Sequence, residues 1–158
     1  MTKFGIGQGV PRWEDPRLLR GGGRYSDDLN KSNQAFGYVL RSSYANANIL
    51  SIDASAAKSS PGVLGIWTGK DYAASGLGNI PCAVPRQRPD GSPMFTPPNP
   101  ALRVDKVKTV GDPVCWVVAE TLQQAHDAAE MILVEYEEID SVTKTSKALD
   151  PDVPTVWE

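Results

Sequence analysis

Histidine occurs once and cysteine twice in these 158 residues. A catalytic dyad or triad built on imidazole has only His126 to draw on. Cys82 and Cys115 are too few for a disulfide framework and do not make a metal motif with each other. Long apolar runs are missing as well. The longest, from Val114 to Ala119, is about six residues, where a bilayer span needs roughly 20. The first residues, Met1-Thr2-Lys3-Phe4-Gly5, lack the apolar stretch of a secretory signal. An excess of basic residues is absent too: 16 Lys+Arg stand against 19 Asp+Glu, for a net charge of −3. A nucleic-acid partner, which asks for a basic face, is therefore not expected. Together these absences indicate a cytoplasmic protein with no transmembrane segment. Hydrophobic residues at 41% suffice for one packed core.

Charge is unevenly distributed. Lys and Arg vanish between Thr109 and Thr143, where Asp112, Glu120, Asp127, Glu130, Glu135, Glu137, Glu138 and Asp140 lie. Such a run reads first as a solvated face. A docking surface for a basic partner is the sharper alternative.

Residues 1–33 read as an extended arm, since Pro11, Pro16 and Gly21-Gly22-Gly23 disfavour a helix. The domain proper is expected over 34–149, and 150–158 as a tail. Alternation predicts a strand at Phe36–Leu40, Ile49–Ile52 reads as a second short strand, and Pro61-Gly62 turns into a third at Val63–Thr68. Asp53 is placed to cap a short helix over Ala54–Lys58, and Thr68 or Gly69 to start another through Ala74. Seven prolines between Ser75 and Ala101 mark a long excursion, either functional or mobile. A pair of strands, Lys106–Thr109 and Val114–Ala119, is joined through Gly111-Asp112-Pro113. Thr121 then caps the best helix, with Leu122, Ala125, Ala129 and Ile132 on one face. A last strand, Ile132–Glu137, and a short helix near Lys147 follow. The fold class is α+β, two or three helices against a mixed sheet.

No catalytic constellation emerges from the residues themselves. Gly5-x-Gly7-x-Gly9 lacks the preceding strand and following helix of a dinucleotide site. Gly21-Gly22-Gly23 before Arg24 reads as a tight turn rather than an anion cradle. His126 reads as a partly exposed helix residue and Cys115 as a small buried hydrophobe. Cys82 has no basic neighbour in sequence to lower its pKa. Glu137 and Glu138, adjacent on a strand, point to opposite faces.

Several segments nevertheless resemble a known family. Pro11-Arg12-Trp13-Glu14-Asp15-Pro16-Arg17-Leu18-Leu19 and Gly23-Arg24-Tyr25-Ser26-Asp27-Asp28-Leu29 are similar to the opening of molybdenum hydroxylase large subunits. That family comprises xanthine dehydrogenase, aldehyde oxidase and aerobic carbon monoxide dehydrogenase. Leu40–Ala47, Ile49–Asp53, Pro61–Asp71, Asp105–Val114 and Val118–Glu137 continue the resemblance in order. Asn46 departs from a frequent histidine, Cys115-Trp116 from a small apolar pair, and Asn30–Asn33 from a Pro-Gly turn.

The resemblance implies an N-terminal α/β-hammerhead domain. In the complete enzyme it implies a molybdopterin cytosine dinucleotide-type molybdenum cofactor, iron–sulfur clusters and FAD. The partners it implies are the remaining molybdopterin-binding domains of the large subunit and the iron–sulfur and FAD subunits. The family's glycine-rich cofactor segments and glutamate base have no counterpart up to Trp157-Glu158. The chain is thus expected to be an excised domain or a split piece, inactive alone, with no catalytic, cofactor-binding or metal residue. Arg24, Asp28, Arg41 and Asp112 are expected to be structural anchors, charges in turns or at strand ends that tie the arm to the sheet. The rival readings are a free-standing binding module using the 75–101 loop, and an enzyme relying on His126.

Overall fold

The computed structural model describes residues 5–7 and 9–157. Met1–Phe4, part of the start without a secretory signal, lie outside the described residues. So do Gln8 in the first glycine string and Glu158. The chain divides into two units, one ending at Gln34 and the other beginning at Ala35.

In the first unit, α1 covers Asp15–Leu18 and a 3₁₀ turn covers Ser26–Asp28. The arm is therefore not free of helix. Pro16 lies in the first turn of α1, where a backbone N–H would have no intrahelical partner, so proline is compatible with it. Gly21, at a φ of 71°, ends the helix, and the N–H groups of Gly21 and Gly22 donate to Leu18 and Arg17 carbonyls at 3.0 Å each. Those two donors are spent on the turn.

The second unit is built on six strands: β1 (Phe36–Arg41), β2 (Ala47–Asp53), β3 (Val63–Thr68), β4 (Lys106–Val107), β5 (Pro113–Ala119) and β6 (Leu133–Glu138). The helices are α2 (Ser55–Lys58), α3 (Gly69–Ala74) and α4 (Leu122–Glu130), with a 3₁₀ turn at Thr145–Lys147. The α+β class stands, but the expected mixed sheet resolves into two antiparallel sheets. One has the order β1-β5-β3 and the other β4-β2-β6.

The strands flanking Gly111-Asp112-Pro113 accordingly pair in different sheets rather than with each other. β4 is also two residues shorter than expected. The N–H groups of Lys108 and Thr109 donate to the Asp112 carboxylate instead of to a ladder. At α2 the cap falls on Ala54. Asp53, one residue earlier, accepts the N–H of Ser55 at 2.9 Å.

The core lies between α4 and the sheets. Val107, Val114, Val117 and Cys115 are fully buried, and the β-branched valines suit a pleated surface packed on one side. Ala125, Ala128 and Ala129 form the buried stripe of α4, and their small side chains let the helix sit close to β1 and β5. Thr121 caps that helix, accepting the N–H of Gln124 at 3.2 Å, while Gln124 Oε1 accepts the N–H of Thr121 at 3.0 Å. Among the described residues no helix is long and apolar enough to cross a membrane.

Candidate functional site

The most strongly organised polar group is Asp112, 5% exposed in the loop between β4 and β5. Gly111, at a φ of 88°, and Pro113 shape a turn that directs the carboxylate inward. Its Oδ2 accepts the N–H of Lys108 at 2.6 Å and of Thr109 at 3.1 Å. Its Oδ1 accepts from Arg103 Nη2 at 2.9 Å and from the Thr109 hydroxyl at 3.2 Å. Burial pushes this carboxyl up, but the Lys108 N–H, the Arg103 guanidinium and the Thr109 N–H outweigh it. The net position is below the usual carboxylate value.

Backbone bonds lock the same turn onto β1. Ser42 donates to the Asp112 carbonyl at 2.9 Å, and Gly111 donates to the Ser42 carbonyl at 2.8 Å. Arg41 Nη1 reaches the Gly111 carbonyl at 2.8 Å. Arg41 and Asp112 are thus brought to one junction, where the end of β1 meets the start of β5. Asp28 lies in the first unit, accepting the N–H of Tyr25 at 2.8 Å, and Arg24 stands exposed there. Arg103 is the member that sequence reasoning missed. It sits at the close of the proline-rich excursion, with its side chain 12% exposed and its Nε buried without a partner among the described residues. The available signal was a cation nine residues before the aspartate of a Gly-Asp-Pro turn.

The other candidates are held in structural settings. His126 on α4 meets the Tyr38 ring edge-on, with centroids 4.8 Å apart, and its Nδ1 is 3.4 Å from Glu130. Cys115 is fully buried in β5, and burial with the nearby Asp71 charge pushes its thiol up to about 11. It is therefore a neutral thiol near pH 7, not a nucleophile. Cys82 is exposed in the excursion. Glu135 and Glu137 accept from Ser51 Oγ at 2.7 Å and Asn48 Nδ2 at 2.8 Å, forming a polar ladder across β2 and β6. Of the eight acids in the charge run, Asp112 is the buried one and the rest are exposed. Asn46 is 3% exposed, its amide donating to the Asp140 carbonyl at 2.8 Å, so this position belongs to the interior.

The excursion is folded on itself. Arg88 and Ser92 are joined at 2.8 Å, Met94 donates to the Arg86 carbonyl at 3.0 Å, and Ile80 to that of Asn99 at 2.8 Å. Phe95 meets the Trp157 ring at 6.2 Å, and Lys108 Nζ lies 3.4 Å from the centroid of that ring.

None of this suits a molybdenum centre or an iron–sulfur cluster. The buried Asp112 carboxylate is saturated by donors of its own chain, and one of the two thiols is sealed in a strand. Among the described residues no three His, Cys, Asp or Glu side chains converge as a metal site.

Comparison with known proteins extends over this same unit and beyond it. The chain is 37% identical over 149 residues to the nicotine 6-hydroxylase large subunit of Paenarthrobacter nicotinovorans, covering 94% of this chain and 18% of that one. Its fold superposes on quinoline 2-oxidoreductase from Pseudomonas putida 86 with a TM-score of 0.78 at 39% identity, covering 96% and 19%. Against the Cu,Mo-CO dehydrogenase the TM-score is 0.75 at 34% identity, covering 95% and 18%. The chain therefore spans less than a fifth of the length of these relatives. A family model described as the a/b hammerhead domain of aldehyde oxidase and xanthine dehydrogenase matches residues 20–140. With the two-sheet architecture and helix order found here, that match makes the chain a member of the aldehyde oxidase and xanthine dehydrogenase hammerhead-domain family.

Proposed function

We propose that this chain is a non-catalytic structural domain of a molybdopterin-dependent hydroxylating dehydrogenase of the xanthine, aldehyde and carbon monoxide oxidation class. The observation that carries this reading is the state of Asp112. The chain's best-organised ionisable group is fully used in joining β1, β5 and the end of the excursion. It has no acceptor capacity directed at a substrate. Arg41 serves the same junction, while Asp28 holds a turn of the arm.

In this reading the molybdenum cofactor, of the cytosine dinucleotide type, is held by the remaining domains of the large subunit. Iron–sulfur clusters and FAD lie on partner subunits, and the assembly is cytoplasmic. Substrate choice belongs to those other domains. The test is purification from the native host under mild conditions, with metal analysis of each polypeptide. The chain is expected to travel with a molybdenum-bearing polypeptide. Recovery of the chain alone, with molybdenum bound to it stoichiometrically, would overturn the reading.

A further inference from the structure

The two sheets treat their outward faces differently. On β2-β6 that face carries the Asn48–Glu137 and Ser51–Glu135 hydrogen bonds beside the exposed Leu133. On β1-β5-β3 the register sets Val39 opposite Trp116, Gly37 and Gly65 opposite Val118, and Trp67 opposite Trp116. Paired residues share a face, so these six side-chain positions form one uncharged surface. Trp67 and Trp116 are 45% and 49% exposed, their ring centroids 6.3 Å apart. Each ring lies over a glycine: a β-carbon at Gly37 would strike the Trp116 indole, and one at Gly65 the Trp67 indole.

Beside the rings a cavity of about 310 Å³ is lined by Trp67, Tyr72, Leu77, Leu102, Trp116 and Val118. Asp71 is the charged residue at its wall, and its carboxylate already accepts from the Thr68 N–H at 2.8 Å and the Thr68 hydroxyl at 2.7 Å. The face thus offers a partner an apolar area whose wall carboxylate is already taken up by Thr68. Exposed tryptophans next to an apolar pocket are the usual composition of an interface centre.

We propose that this outer face of β1-β5-β3 docks onto the rest of the large subunit and receives an uncharged, apolar segment of it in the Trp67–Trp116 cavity. The proposal rests on the function proposed above. Its occupant follows from length: more than four fifths of the solved and curated relatives lies outside the matched region, so the domain has a much larger body beside it. A lasting contact within one subunit is also the kind that favours apolar faces.

Hydroxyl-radical footprinting, read by mass spectrometry, tests this on the native assembly and on the isolated chain. Trp67 and Trp116 are expected to label readily in the isolated chain and to be protected several-fold in the assembly. Leu50 and Leu133, on the other sheet, are expected to lose less reactivity. Trp116→Ser, with its fold checked by circular dichroism, is expected to weaken association with the molybdenum-bearing polypeptide by about tenfold or more. Equal labelling of both tryptophans in the two states, while the chain still travels with that polypeptide, would overturn this inference and leave the proposed function intact. Failure of the chain to associate at all would remove both. Protection already present in the isolated chain would assign the face to a second copy or to the chain's own arm, and would also overturn it.

Discussion

Asp112 shows how a single side chain can define a junction. Its four donors come from Arg103, Lys108 and Thr109, so truncation strands a buried guanidinium and two backbone N–H groups. Asp112→Ala is expected to cost about 3 kcal/mol in urea unfolding, because an unpaired buried charge is left behind. The carboxyl is held below its unfolded value, so its contribution is complete above roughly pH 4 and is lost as pH falls through the folded value. Asp112→Asn is therefore expected to flatten the acid limb of the stability curve, measured by thermal melts from pH 6 to pH 2.5. The thiols separate by the same logic of environment. Iodoacetamide at pH 8 is expected to modify exposed Cys82 in the native protein and to spare Cys115 until the chain unfolds, as peptide mapping would show.

At the scale of elements, local signals carried furthest where one face of a segment meets the core. The Pro61-Gly62 turn marked β3 to the residue. Thr121 with Ala125 and Ala129 marked α4, although Leu122, expected on the same face, is 55% exposed and Ile132 lies beyond the helix. Such signals failed where a tertiary partner captures the backbone. Lys108 and Thr109 have strand-like neighbours, yet their N–H groups serve Asp112, and local sequence carries no trace of that competition. Sheet membership was hidden for a related reason, since alternation reports a face and not the neighbouring strand. The Arg103 link left only a cation ahead of a Gly-Asp-Pro turn as its signal, because the residue closes a proline-rich stretch without a period of its own. Gly69 exposes the tightness of that region. It starts α3 buried against the Arg103 carbonyl, with no room for a methyl group. Gly69→Ala is expected to destabilise by about 2 kcal/mol or more, read as a lowered urea midpoint, because backbone rather than a flexible side chain must move.

For the whole molecule, the reading divides chemistry from support. Polar groups are invested in holding turns and strand ends, the thiol in β5 is buried, and the acidic run is displayed on α4, β6 and their flanks. Resemblance in the sequence pointed to the family, and the two-sheet fold with its relatives bears that out. The contact face of β1-β5-β3 was not legible, because two tryptophans forty-nine positions apart become neighbours only when β3 pairs with β5. The most direct check of the division is to assay the purified 158-residue chain by itself for molybdenum and for dye-linked oxidation of xanthine, aldehydes and carbon monoxide. The account expects a folded chain with substoichiometric metal and no turnover above background. Sustained oxidation by that monomer, abolished by a substitution within the chain, would contradict it.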